Sequence, residues 1–165
     1  MQEIFFISIY SYLLGSIPFG LILSKIFLKK DIRQSGSGNI GATNVLRSGN
    51  RILGFLTLIL DGLKSYLAVI ITIGFFSDYF FLSSVLVFLG HLFPIWLKFK
   101  GGKGVATYLG ILFALNFYYA VIFILSWLVI IFITPPTASL PYKVDVGPLI
   151  TSICFINEVG IPFNP

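Results

Sequence analysis

Reactive and ionisable side chains are scarce in this sequence. One cysteine, Cys154, and one histidine, His91, stand among 165 residues. A lone cysteine excludes an internal disulfide, and one cysteine with one histidine cannot build a zinc site of the usual four-ligand or three-histidine kind. Neither a metal nor a cofactor is expected. Charged side chains make up only 10% of the chain, against about 25% in a soluble domain. Together with 57% hydrophobic residues and a mean hydropathy of +0.98, this excludes a soluble globular protein. What remains is an all-α, polytopic transmembrane helix bundle whose apolar surface faces lipid.

Four runs have the length needed to cross a hydrocarbon core of roughly 30 Å. They are 4–23, 52–76, 79–97 and the long stretch 105–133, with a marginal fifth over 146–161. The first has no basic segment before it and no small-residue cleavage site after it, so it is expected to be a retained span. Gly15, Pro18 and Gly20 fall inside it and should bend the helix or admit a close neighbour. The expected division is a transmembrane domain over 1–133 and a divergent tail over 134–165, either disordered or weakly membrane-associated.

Basic residues are enriched in cytoplasmic loops near spans. With the amino terminus outside, Lys25, Lys29, Lys30, Arg33, Arg47, Arg51, Lys98, Lys100 and Lys103 all fall on the cytoplasmic side, nine of the eleven basic residues. The net charge of +5 therefore suits an anionic membrane surface and anionic substrates, not nucleic acid.

This topology puts two glycine-rich loops on one face. The first, Ser35-Gly36-Ser37-Gly38-Asn39-Ile40-Gly41-Ala42-Thr43-Asn44-Val45-Leu46-Arg47, has no apolar stripe and is expected to lie outside any core. It offers hydroxyls, amides, backbone N–H groups and a guanidinium, an inventory suited to an oxyanion. The second, Lys100-Gly101-Gly102-Lys103-Gly104 followed by Thr107, can fold closely around a small anion while an ammonium neutralises it. Neither is a standard nucleotide motif. Gly36 to Gly41 fits G-x-G-x-x-G but no strand precedes it, and Leu97 stands where a Walker A loop needs its first glycine.

Asp61 and Lys64 lie one turn apart and should pair as a structural ion pair about 15 Å along the axis from Arg51. His91 has two readings: a histidine bonded to a nearby backbone group, or a general base or phosphate ligand at the cytoplasmic mouth. A soluble histidine-dependent acyltransferase is disfavoured, since Trp96 holds the acid position of an H-x4-D motif.

These motifs resemble those of the bacterial acyl-phosphate:glycerol-3-phosphate acyltransferases. The resemblance runs through Ser11 to Gly20, Gly36 to Arg47, Asp61-Gly62-Leu63-Lys64, Gly90-His91-Leu92-Phe93-Pro94 and Lys100 to Thr107, covering about 4–130. It implies acyl transfer from acyl phosphate to the first (sn-1) hydroxyl of glycerol 3-phosphate, in a bacterial inner membrane, with lipids and the enzyme that makes acyl phosphate as partners. By this resemblance Ser37, Thr43, Asn44 and Arg47 belong to one active-site motif and Lys103, with Gly101, Gly102 and Gly104, to a second; Ser37, Arg47 and Lys103, with His91 as the one imidazole, are the candidate catalytic residues. Gly38, Asn39, Thr43, Asn44, Lys100, Gly101, Gly102, Gly104 and Thr107 are candidate substrate-binding residues. No acyl-enzyme is expected.

After Ile133 the text departs from the family pattern into Thr134-Pro135-Pro136, which cannot extend a helix, and no third family motif follows. A shortened or frame-shifted reading, with reduced stability and low or absent activity, is the expectation from the tail. A small transporter using Asp61 and Lys64 is the remaining alternative, disfavoured because no internal repeat is visible.

Overall fold

The computed structural model describes residues 1–133; the expected tail over 134–165 and its marginal fifth span lie outside the described residues. The described residues form seven α-helices and contain no strand: α1 Gln2–Ser16, α2 Phe19–Leu23, α3 Ala42–Arg47, α4 Arg51–Phe75, α5 Phe80–Leu92, α6 Val105–Leu115 and α7 Phe117–Ile133. Three stretches are long and apolar enough to cross a membrane: Gln2–Leu28, Arg51–Phe75 and Ser77–Leu97. The chain divides after Phe117, and α7 from Tyr118 onward belongs to a second unit.

The expected fourth span over 105–133 is instead two shorter helices. Asn116 adopts an extended conformation (φ −165°, ψ 128°) between them. Asn116 is the one strongly polar side chain between Val105 and Phe117, and asparagine is a poor helix-interior residue because its amide competes with the backbone for hydrogen bonds. The first span is also interrupted, as Pro18 predicts: α1 stops at Ser16, and a wide turn at Ser24–Leu28 ends the segment at Lys29, in the left-handed region at φ 51°.

Lipid offers no hydrophobic drive for helix association, so small residues and interhelical hydrogen bonds decide which helices meet. In the first unit, α1 packs on α5, and α4 on α6. Ile7, Ser11 and Gly15 are buried at helical spacing on α1, facing Ser83, Val87 and Gly90 on α5. A Cβ at Gly15 would fall on the Val87 carbonyl, and one at Gly90 on that of Tyr12. Ser11 Oγ and Ser83 Oγ bond at 2.8 Å across the seam, and Ser83 Oγ also reaches the Ala68 carbonyl of α4 at 3.2 Å. The hydroxyls of Tyr10 and Thr72 join α1 to α4 in the same layer. Between α4 and α6, a Cβ at Gly110 would strike the Gly62 carbonyl, while Ser65 Oγ donates to the Thr107 carbonyl at 2.8 Å.

A separate apolar cluster sits beneath the first loop, where Leu21, Ile32, Ile40, Val45 and Leu53 bury together and Leu97 packs against them. This corrects the expectation that the first loop lies outside any core. Ile40 and Val45 have no helical or strand periodicity, so only the folded loop brings them to one side.

Gly15→Val is expected to lower the thermal midpoint in detergent, corresponding to a cost of about 1–3 kcal/mol or more for overpacking against rigid backbone. Gly74, where a Cβ meets nothing within 4 Å, is the control: Gly74→Ala should leave the midpoint unchanged or raise it.

Candidate active site

The two glycine-rich loops meet on one end of the bundle. A cavity of about 570 Å³ between them is lined by Arg33 and Gly38 from the first and by Trp96, Leu97, Lys98, Lys100 and Gly101 from the second. The charge pattern anticipated this shared face. The contributions of Arg33, Trp96 and Lys98 were not singled out from the sequence, because their proximity depends on the loop fold and not on any local motif.

The first loop is built around Asn44, which is 2% exposed. Its Nδ2 donates to the carbonyls of Ile32 (2.8 Å), Asn39 (2.8 Å) and Ser35 (3.1 Å), while its Oδ1 accepts from the Ser37 N–H at 3.0 Å. One side-chain amide thus ties four points of an irregular segment, as buried backbone polar groups require. Gly36 (φ 60°) and Gly38 (φ 70°) supply the left-handed turns on either side of Ser37. The Gly38 N–H is taken by the Ser35 carbonyl, and the Gly41 N–H by Asn39 Oδ1. Ser37, Thr43 and Arg47 are exposed, with the Arg47 side chain beside Gly36. Asn39 is half-buried and Asn44 faces the loop's own backbone.

At the loop entrance Asp31 caps a short turn. It accepts from the Arg33 N–H at 3.0 Å and from Arg33 Nη2 at 2.6 Å. The hydrogen bond from the Arg33 guanidinium holds the Asp31 carboxyl down at about 2, well below its ordinary value of 3.8.

The second loop folds back onto the end of α5. The Gly101 N–H donates to the Leu92 carbonyl (3.0 Å) and the Gly102 N–H to the His91 carbonyl (3.1 Å), filling acceptors left open where Pro94 stops the helix. Lys98 (φ 53°) and Phe99 (φ 61°) are successive non-glycine residues in the left-handed region, and Gly104 (φ 81°) turns the chain into α6. Lys100 and Lys103 are exposed, Gly101 and Gly102 are half-buried, and Gly104 is buried. Thr107 is fully buried with its hydroxyl unpartnered, so it lies under the loop and not on its surface.

His91 is 4% exposed and sits between this loop and the predicted ion pair. Asp61 Oδ1 and Lys64 Nζ are 2.7 Å apart, both buried. Lys64 Nζ also reaches the Ile17 carbonyl at 2.7 Å and His91 Nδ1 at 3.0 Å. The sequence reading found the pair but missed these two acceptors, which lie 47 and 27 residues away. The His91 ring meets the Lys64 ammonium and not the backbone group that one of its two readings expected.

The profile of the family described as glycerol-3-phosphate acyltransferase matches residues 5–156. The chain belongs to the glycerol-3-phosphate acyltransferase family. The match runs past 130, further than the motif-based resemblance. A relative of that name from Pelagibacter ubique is 61% identical over 128 residues, covering 78% of this chain and 67% of the relative. One from Bartonella henselae is 55% identical over 130 residues, covering 75% of this chain and 61% of the relative. The alignments thus span about two thirds of the length of these relatives. Among solved structures, the crystal structure of PlsY, an integral membrane glycerol 3-phosphate acyltransferase, superposes with a TM-score of 0.83 at 35% identity. It matches 98% of this chain and 80% of that one. The all-helical membrane fold and the acyltransferase family are thereby established.

Two outcomes follow from the first loop. Asn44→Ala should cost about 1–3 kcal/mol by orphaning buried carbonyls, read as faster amide hydrogen exchange over 32–41. The Asp31 carboxyl, followed by carbon NMR, should titrate near 2 in the native chain and move up in Arg33→Met. Its folded value is depressed, so the stability it contributes is fully present above the ordinary carboxylate value and lost as pH falls toward 2.

Proposed function

We propose that this chain transfers a fatty acyl group from acyl phosphate to the sn-1 hydroxyl of glycerol 3-phosphate, giving 1-acylglycerol 3-phosphate and inorganic phosphate. The observation that carries this reading is the cationic cavity between two glycine-rich loops at one end of an apolar bundle. Both substrates bring a phosphate, and the donor also brings a chain that belongs among helices in lipid. PlsY has been solved in a glycerol 3-phosphate form and a lysophosphatidic acid form, which fits an acceptor and a product of this kind.

In the proposed step the substrate hydroxyl oxygen attacks the acyl carbonyl carbon, the bond from that carbon to the phosphate oxygen breaks, and the hydroxyl proton leaves with the phosphate. The donor is already activated, so positioning is the main task. Arg47 and Lys103, exposed on the two loops though not among the residues that line the cavity, clamp phosphate and offset charge developing on the carbonyl and leaving group. The hydroxyls of Ser37 and Thr43 and the ammonium of Lys100 orient the acceptor. Asn39, Asn44 and the glycines act by shaping the loops. His91 takes no proton in this scheme, and no acyl-enzyme forms. The loops face the cytoplasm of a bacterial inner membrane with the amino terminus outside, where an enzyme making acyl phosphate delivers the donor.

The purified full chain in detergent or nanodiscs, given acyl phosphate and labelled glycerol 3-phosphate, should form labelled 1-acylglycerol 3-phosphate. Arg47→Ala and Lys103→Ala should each lower the rate roughly 100-fold or more. Near-normal transfer by Arg47→Ala would remove it from the mechanism, and no transfer by the native chain would overturn the reading.

A further inference from the structure

We propose that Lys64 is a positioning residue for the second glycine-rich loop, acting through His91; this rests on the acyl-transfer reading of that loop. An ammonium has three hydrogens to donate and no lone pair to accept with. Lys64 Nζ finds three acceptors, Asp61 Oδ1 and the Ile17 carbonyl at 2.7 Å each and His91 Nδ1 at 3.0 Å. His91 Nδ1 therefore accepts, and the neutral ring carries its hydrogen on Nε2. That Nε2 end points at Gly102: a Cβ built there would collide with Nε2 and lie 2.8 Å from Cε1 and 3.0 Å from Cδ2. The same residue's carbonyl accepts the Gly102 N–H at 3.1 Å. Ring and backbone of His91 thus grip one glycine, and Lys64 sets the ring's rotation. On the far side of the loop the same helix acts again, where Ser65 Oγ holds the Thr107 carbonyl at 2.8 Å. One stretch of α4 from Asp61 to Ser65 thereby fixes both ends of the segment that carries Lys103.

A displaced loop should weaken capture of the phosphate-bearing acceptor more than it slows the chemical step. The double variant Asp61→Asn with Lys64→Met, which leaves no unpaired buried charge, and the single variant His91→Ala are each expected to raise KM for glycerol 3-phosphate about tenfold with kcat changed less than about threefold. Combining all three changes should do no more than either alone, because residues acting in one chain are non-additive. His91→Gln, whose amide can reach Gly102, should recover most of the loss. Multiplying defects, a fall in kcat at constant KM, or no rescue by glutamine overturns the proposal. If the double variant does not fold, His91→Ala against His91→Gln decides on the same criteria.

Amide hydrogen exchange over 100–104 gives a readout independent of turnover. It should quicken in these variants while 51–60 stays unchanged. Should the native chain show no transfer, the functional reading fails by itself. Unchanged exchange across Gly101 to Gly104 would then overturn the positioning role.

Discussion

A single ammonium inside an apolar bundle constrains the rest of this structure. Placing a lysine at the middle of a helix in the membrane costs about 2.5–3.5 kcal/mol on insertion scales, and an unmet hydrogen on it costs more. The chain meets all three: the Asp61 carboxylate on the same helix, the Ile17 carbonyl and His91 Nδ1. Each acceptor comes from a different place. The Ile17 carbonyl is within reach because Pro18 interrupts the first span, and the imidazole is within reach because α5 carries it to its last turn. A break that looks like a defect in the first helix is thus what lets α1, α4 and α5 share one polar point.

Around that point the helices are held by closeness rather than by exclusion of water. Large apolar side chains such as Phe5, Phe55, Ile52 and Phe81 lie exposed on the outside of the first unit, as expected for surfaces that face acyl chains. The seams carry Ser11, Gly15, Ser83 and Gly90, and Gly62 with Gly110. Dispersion between backbones at short range and a few hydroxyl bonds replace the hydrophobic effect of a soluble core. The result is a first unit whose seams mix small and polar residues with buried apolar clusters, and whose outer surface carries many large apolar side chains.

Much of this was legible in the residues. Long hydrophobic runs marked three of the expected spans, the Lys and Arg distribution put both loops at one end, and the spacing of Asp61 and Lys64 gave their pairing. Each of those signals is local or summed along the chain. The signals that failed are relational. Over 105–133 Asn116 is one polar residue in a long apolar run, so hydropathy averaged over a span does not register the break in the expected fourth span. Ile40 and Val45 lie at no common period, so their burial appears only once Asn44 has drawn the loop together. The acceptors for Lys64 other than Asp61 are distant in sequence, and nothing in the single chain links them.

The glycine loops were legible as loops, yet the structure changes what their glycines are for. In a phosphate-cradling loop the backbone N–H groups point at the ligand. Here the N–H groups of Gly101 and Gly102 cap α5, and those of Ser37, Gly38 and Gly41 are held by the first loop's own oxygens. The glycines serve close approach instead: Gly102 against the imidazole, and Gly20 under the Ile40 carbonyl. With those N–H groups engaged, the proposed acyl transfer turns to side chains on the loop surface, where Arg47, Lys100 and Lys103 are exposed. Long cationic side chains reach only as accurately as the backbone that carries them is fixed. That makes the buried contacts beneath each loop, Asn44 under the first and the Lys64–His91 link under the second, as consequential for the proposed chemistry as the charges themselves.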